Sequence, residues 1–306
     1  MTAAISAHGV TKTFRGRPVL KNIDWSVTAG HIHGLIGANG AGKTTLLRLA
    51  LGVLRPNQGS LTVAGESVGQ DSAQMRQRVH YVASSHQMAG GFRTGEWVRY
   101  ASLLYDRWDS ERINRLLKAL ELSPGAAIGQ LSTGQQISLK LAIAIAARPD
   151  VMLLDEPTNG LDVVVKRQIL QLIIDMAASE GTTIVMATHN IQDVERMADS
   201  VSVLYEGRMV LTQDVDAMKQ YVNCLQVVLP GGWPDSLDKD SRIIQVKRRG
   251  QVALVTIQGD ARAVESLFIG AGATMVEPIP MDLTDVFAAI LKKEGYSRET
   301  LEWESI

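Results

Sequence analysis

Eight consecutive residues, Gly37-Ala38-Asn39-Gly40-Ala41-Gly42-Lys43-Thr44, carry the densest chemistry in the sequence, and Thr45 extends them. Glycine, four residues, glycine, lysine and threonine is the spacing of a phosphate-binding loop. Its glycines let the chain turn tightly enough for successive N–H groups to converge on phosphate oxygens. A helix starting directly after the loop presents its positive end to the same anion. Lys43 can reach β- and γ-phosphates, and the Thr44 hydroxyl can ligate magnesium. A second feature is Val151-Met152-Leu153-Leu154-Asp155-Glu156, an apolar run ending in two carboxylates. Such a strand suits the magnesium side of a phosphate-loop site. Adjacent side chains on a strand diverge, so the two acids can take separate roles. Asp155 would hold the ion through water, and Glu156 would orient and polarise an attacking water. Many buried strands end in acids, so this pair has meaning only together with the loop.

Certain elements must place these groups. Val27, Ile32, Leu35 and Ile36 predict strand ahead of the loop, and Lys43 to Leu51 predicts helix. Leu61, Val63, Val79, Tyr81 and Val82 read as further strand positions. Ser110 is expected to cap a helix with Ile113, Leu116, Leu117 and Leu120 on one face, and a second helix is expected after Ser132. Strands at Val151 to Leu154, Thr183 to Thr188 and Val201 to Tyr205 then alternate with helices stopping at Gly181 and Ala198. That alternation indicates a parallel sheet carrying helices. Beyond Asp214 the short runs Leu225 to Leu229, Ile243 to Val246 and Val252 to Ile257, with helices at Ala261 to Ala271 and Leu283 to Lys293, predict a small separate α+β domain. Ser297 to Ile306 reads as a polar, loose tail.

Composition sets the limits. The 306 residues are 45% hydrophobic and 21% charged, which suffices for a large domain and a smaller one. A formal net charge of −1 argues against a partner recognised through a basic surface, so no nucleic acid is expected. The single cysteine, Cys224, excludes an internal disulfide and fits a reducing compartment. Met1 to Val10 lacks the pattern of a signal peptide, and no run reaches the ~18 apolar residues of a membrane helix. A soluble chain is therefore expected, with any membrane role delegated to a partner. Of the remaining histidines, His8, His31, His33, His80 and His86 receive no functional assignment. His31 and His33 alternate with Ile32 and are expected on a solvated strand face rather than as a metal pair.

The middle of the chain separates the possible uses of a phosphate loop. Leu131-Ser132-Thr133-Gly134-Gln135 precedes the carboxylate strand by about 20 residues, Asn159-Gly160-Leu161-Asp162 follows it, and His189 ends the next strand. In this order the sequence resembles the ATP-binding-cassette (ABC) family, from about Ile5 to Leu211. The resemblance implies an ATPase that binds ATP and magnesium. Phe14 would stack on adenine, with an ordinary core or surface phenylalanine as the alternative. Ser132, Thr133, Gly134 and Gln135 would form the signature that contacts the γ-phosphate held by a facing subunit, Thr133 replacing the commonest glycine. Asp162 would couple the two sites, and His189 would sense the γ-phosphate. One departure stands out. The family usually carries a glutamine, touching magnesium and the membrane subunit, where simple alignment places Ser84; Gln87 lies three residues late.

The implied fold is a phosphate-loop α/β core with an antiparallel β subdomain and a helical subdomain at about 84–150. The nucleotide-binding domain would span residues 1–213, and an accessory α+β domain 214–306. The implied partners are a membrane permease on a separate chain and a second ATPase copy, identical or related, at the inner face of the cell membrane. Ser102 to Trp108 and Asp282 to Phe287 further resemble single-cassette bacterial exporters of the drug and antibiotic-peptide branch. Two alternatives stay open: a nucleotide-sensing regulatory subunit with low turnover, and a cassette ATPase outside transport.

Overall fold

The computed structural model describes residues 2–69 and 73–293; the tail from Ser297 to Ile306 lies outside them. The chain divides into two compact units, Met1–Thr212 and Gln213–Ile306.

The first unit opens with a long hairpin, β1 (Ala3–Phe14) and β2 (Arg17–Thr28). Then follow β3 (Ile32–Ile36), α1 (Lys43–Ala50), β4 (Gln58–Val63), β5 (Glu66–Ser67), α2 (Ala73–Arg78) and β6 (Val79–Ala83). A helical stretch supplies α3 (Thr94–Ser102), α4 (Ser110–Ala119) and α5 (Thr133–Ala146). The chain then alternates through β7 (Val151–Asp155), α6 (Val163–Glu180), β8 (Thr183–Thr188), α7 (Ile191–Glu195), β9 (Ser200–Tyr205) and β10 (Arg208–Asp214). One sheet has the order β2-β1-β4-β5 and the other β10-β9-β3-β8-β7-β6.

Strands β3, β7, β8 and β9 are buried along their whole length, as parallel strands covered on both faces must be. Leu153 and Leu154 are fully buried, and each contributes about 1.5–3 kcal/mol of apolar burial. The register decides where chemistry can occur. Ala83 pairs with Asp155, Asp155 with Ala187, and Ile36 with Thr188. The four strands therefore end together, and the residues that follow (Ser84, Glu156, His189 and Gly37) emerge along one edge, where open α/β sheets bind ligands.

Two details differ from the sequence reading. Asp109, not Ser110, caps α4: its carboxylate accepts the Arg112 N–H, one residue earlier than expected. His33 is buried rather than solvated: Trp25 of β2 packs beside its ring, and Ser200 and Ser202 of the neighbouring strand β9 bond its two nitrogens. Trp25 Nε1 donates to His33 Nε2 at 3.2 Å, so the proton sits on Nδ1, which donates to Ser200 Oγ at 2.7 Å. Burial, then the His31 charge, lowers the His33 pKa to about 3. Burial, then Arg107, lowers that of His80 to about 4.

Both histidines thus fold neutral, whereas the unfolded chain protonates them near pH 6.5. Below that pH the unfolded state binds more protons, so stability falls as pH falls, from about 6.5 towards 4 and 3. Each group should cost about 2 kcal/mol between pH 7 and pH 5. Thermal melts are expected to show a lower Tm at pH 5, and His33→Gln should flatten that decline. An equally steep decline in the variant would contradict this account.

The second unit contains α8 (Val215–Tyr221), β11 (Val222–Val228), β12 (Ile243–Arg249), β13 (Val252–Gln258), α9 (Ala261–Gly270), β14 (Met275–Ile279) and α10 (Leu283–Lys293). Its antiparallel sheet has the order β12-β13-β11-β14, and Leu225, Val227, Val255 and Ile257 pack against Val264 and Phe268 of α9. Strand β14 was not foreseen, because Pro278 lies within it. It is an edge strand, where a proline lacking its N–H is tolerated. Among the described residues, no helix is long and apolar enough to cross a membrane.

Candidate functional site

The loop between β3 and α1 is shaped by glycine. Gly42 has φ 110, and a Cβ there would meet Leu20 Cδ2 at 2.8 Å. A Cβ on Gly37 would meet the Leu204 carbonyl oxygen at 2.4 Å. Only glycine lets the loop lie this close to β2 and β9. Gly42 also starts α1 without a side-chain cap, so the first N–H groups of the helix have no capping partner. Unsatisfied donors and the helix dipole together make an anion site.

Lys43 is buried. Its Nζ donates to the carbonyls of Gly37 (2.6 Å) and Ala38 (3.3 Å) and lies 3.2 Å from Glu156 Oε1. Glu156 Oε2 lies 2.9 Å from His189 Nδ1. Lys43, Glu156 and His189 thus form one chain of charge and hydrogen bonds across three strand ends. Glu156 holds φ 50, a conformation that favours glycine and is uncommon for a glutamate. Strain of that kind concentrates where a side chain must be aimed.

Asp155 is buried beside it. Its Oδ2 accepts from the Tyr81 hydroxyl at 2.7 Å, while Oδ1 has no hydrogen-bond partner. Burial, reinforced by the Asp155 carboxylate, pushes the Tyr81 hydroxyl above its usual range. An orphaned buried carboxylate oxygen fits a hydrated divalent cation. Asp155 and Thr44 therefore supply a donor set appropriate to magnesium.

A cavity of about 290 Å³ is lined by Ala38, Asn39, Gly40, Gly42, Lys43, Thr44 and Thr45, with Glu156 and Val19. Sequence reasoning missed Val19; only the hairpin geometry places β2 against the loop. It also missed Tyr81, which meets Asp155 only once β6 pairs with β7. Gly37, Ala41, Asp155, Ser84 and His189 do not line this cavity. Phe14 does not either: it is 41% exposed at the end of β1, with Lys12 Nζ 5.2 Å from its ring centre. A larger cavity of about 750 Å³ opens at the opposite end of the strands, where Asp150 engages Arg78 and Arg107, and no predicted site residue lines it.

The remaining predicted residues lie on helix starts. Ser132 caps α5: its hydroxyl accepts the Gln135 N–H at 3.2 Å, and Gln135 Oε1 accepts the Ser132 N–H at 3.0 Å. Ser132, Thr133 and Gln135 are exposed; Gly134 is buried, and a Cβ on it would meet Val165 Cγ1 at 2.7 Å. Gly134 is thus also needed for the close approach of α5 to α6. Asp162 caps α6, accepting from Val164 and Val165 N–H, each at 3.0 Å. Buried Asp193 accepts from Thr158 Oγ1 and pairs with Lys166 at 2.8 Å, tying α7 to α6. Ser84 donates its N–H to the Asp155 carbonyl at 3.2 Å, while Gln87 is exposed. Among the described residues no cluster of three or more His, Cys, Asp or Glu forms a separate metal site.

Comparison with known proteins agrees with this geometry. The ABC transporter family profile matches residues 20–159. The Nod factor export ATP-binding protein I of Rhizobium sp. (strain N33) is 30% identical over 303 residues, covering 95% of this chain and 98% of its own. The ABC transporter ATP-binding protein YtrB of Bacillus subtilis (strain 168) is 27% identical, covering 93% and 97%. A solved ATP-binding subunit of an ABC transporter superposes with TM-score 0.65 at 22% identity, covering 71% of this chain and 92% of its own. The cbiO1 protein of Clostridium perfringens, part of the complex cbiONQ, superposes with TM-score 0.62 at 25% identity, covering 70% and 89%. With full-length relatives at this identity and a phosphate loop, carboxylate strand and histidine on adjoining strand ends, the chain belongs to the ABC transporter ATP-binding proteins, ATPases that work with a separate membrane subunit.

Proposed function

We propose that the loop Gly37 to Thr45 grips the triphosphate of ATP, and that Ser132 to Gln135 of a second copy closes over the γ-phosphate. The observation that carries this reading is the shared strand edge, which brings Lys43, Glu156 and His189 within one hydrogen-bonded chain. Lys43 now neutralises Glu156, and an arriving triphosphate would draw the ammonium away. Glu156 is then free to orient a water and take its proton as it attacks the γ-phosphorus, releasing ADP and phosphate. His189, next to Glu156, is placed to hold the γ-phosphate and the glutamate together. Magnesium, held by Thr44 and through water by Asp155, would supply charge neutralisation on the phosphates.

Closure by a second copy is supported by exposure at two helix starts. Ser132 is exposed and keeps its hydroxyl proton for an acceptor outside its own chain, since its oxygen only accepts from Gln135. Beside Asp162, Val163 and Val164 are 82% and 68% exposed, apolar surface awaiting a partner. The two copies are identical or closely related chains. Work reaches a membrane permease through the helical subdomain, at about 84–150, on the inner face of the cell membrane. Export is supported by the name of the Nod factor relatives. The second unit serves as an accessory to this cassette. For Phe14 we retain the adenine-stacking role, reached once nucleotide binds.

A regulatory variant of this reading rests on Ser84. Its side chain is shorter than the glutamine that the family pattern places there, and it sits beside Asp155 through its N–H. Hydrolysis is expected to be slower, or coupled differently, than in cassettes with glutamine. Ser84→Gln should raise the ATPase rate or the stimulation of it by the permease. If steady-state assays with and without the permease find both unchanged, Ser84 has no such part.

A further inference from the structure

We propose that Tyr81 is a positioning residue that fixes the Asp155 carboxylate so that one oxygen alone is offered to the divalent cation. This rests on the reading that Asp155 holds magnesium. Tyr81 lies on β6 opposite Leu153 of β7, two residues before Asp155, and so on the same face of the sheet. Its hydroxyl is 2.7 Å from Asp155 Oδ2. The phenol donates this bond and Oδ2 accepts it.

The consequence lies in the other oxygen. Asp155 Oδ1 is buried and without a hydrogen-bond partner. A carboxylate free to rotate would offer both oxygens to water or a cation; one pinned through Oδ2 offers only Oδ1, in a fixed plane. The Tyr81–Asp155 bond joins β6 and β7, the strands that lead into Ser84 and Glu156. Partners of this kind typically alter metal affinity by roughly 10–100-fold.

The test measures binding of a fluorescent ATP analogue to the full chain at a series of buffered free Mg2+ concentrations and in EDTA. Tyr81→Phe should raise the free Mg2+ needed for half-maximal tightening by about tenfold or more, while binding in EDTA stays within about twofold of wild type. A merely structural tyrosine would weaken both alike. Asp155→Asn, run in parallel, should abolish the Mg2+ dependence. If Asp155→Asn does so but the Tyr81→Phe midpoint stays at the wild-type value, Tyr81 is no positioning residue and the role of Asp155 stands. If Asp155→Asn keeps the wild-type midpoint, the role of Asp155 fails and this proposal with it. Should melting reveal that Tyr81→Phe does not fold, Tyr81→Met decides: it also lacks the hydroxyl, it should raise the midpoint by about tenfold, and an unchanged midpoint overturns the proposal.

Discussion

Replacing Glu156 by glutamine is expected to lower steady-state ATP hydrolysis at least a hundredfold while leaving ATP bound. A positioned general base contributes roughly 10²–10⁴ in rate, and Glu156 is the carboxylate set at the mouth of the loop, 3.2 Å from Lys43 and 2.9 Å from His189. Glutamine keeps the size and can still hydrogen-bond His189, but it cannot take a proton from water. It also removes the negative charge that holds Lys43 back, so nucleotide should bind at least as well as in wild type. ATP would then remain closed between two chains, and size-exclusion chromatography with ATP should detect a dimer. Normal turnover would remove Glu156 from this role. The left-handed backbone at Glu156 survives the substitution, since both residues pay the same strain at φ 50.

The second large effect is expected at the other end of the ion pair. Lys43→Ala should weaken ATP binding about 10–100-fold, the range for losing charge-assisted hydrogen bonds to phosphate. The loop itself should keep its shape, because Gly37 and Gly42 set it by close approach to Leu204 and Leu20, and the lysine merely crosses it. Thermal melting without nucleotide should therefore change far less than affinity does. Fluorescence titration with an ATP analogue measures the effect, and unchanged affinity would be as damaging as normal turnover in the glutamate variant.

Much of this site could be read before any coordinates. The phosphate loop is contiguous, and its glycines are required by the very contacts the fold makes at Gly37 and Gly42. Asp155, Glu156 and His189 fall directly after apolar runs, and parallel register converts that sequence position into a common edge. A helix after Ser132 was legible, whereas the reciprocal cap between Ser132 and Gln135 emerged only from the structure. What stayed hidden depends on contacts between distant segments. Val19 reaches the cavity only because β2 folds over the loop. Tyr81 meets Asp155 only through the pairing of β6 with β7. His33 looked solvated because alternation around Ile32 says nothing of Trp25 on β2 or of Ser200 and Ser202 on the neighbouring strand β9. In the second unit, Pro278 masked β14, since an edge position cannot be inferred from a single strand.

The whole account depends on one ATP being shared by two chains. The direct measurement is cross-linking in a Cys224→Ser, Glu156→Gln background, mixing one chain carrying Asn39→Cys with another carrying Ser132→Cys under a short thiol cross-linker. The account predicts a covalent dimer in the mixture that forms with ATP and magnesium and disappears without nucleotide. A mixture that yields no dimer with ATP, or the same amount with and without it, would contradict the shared site.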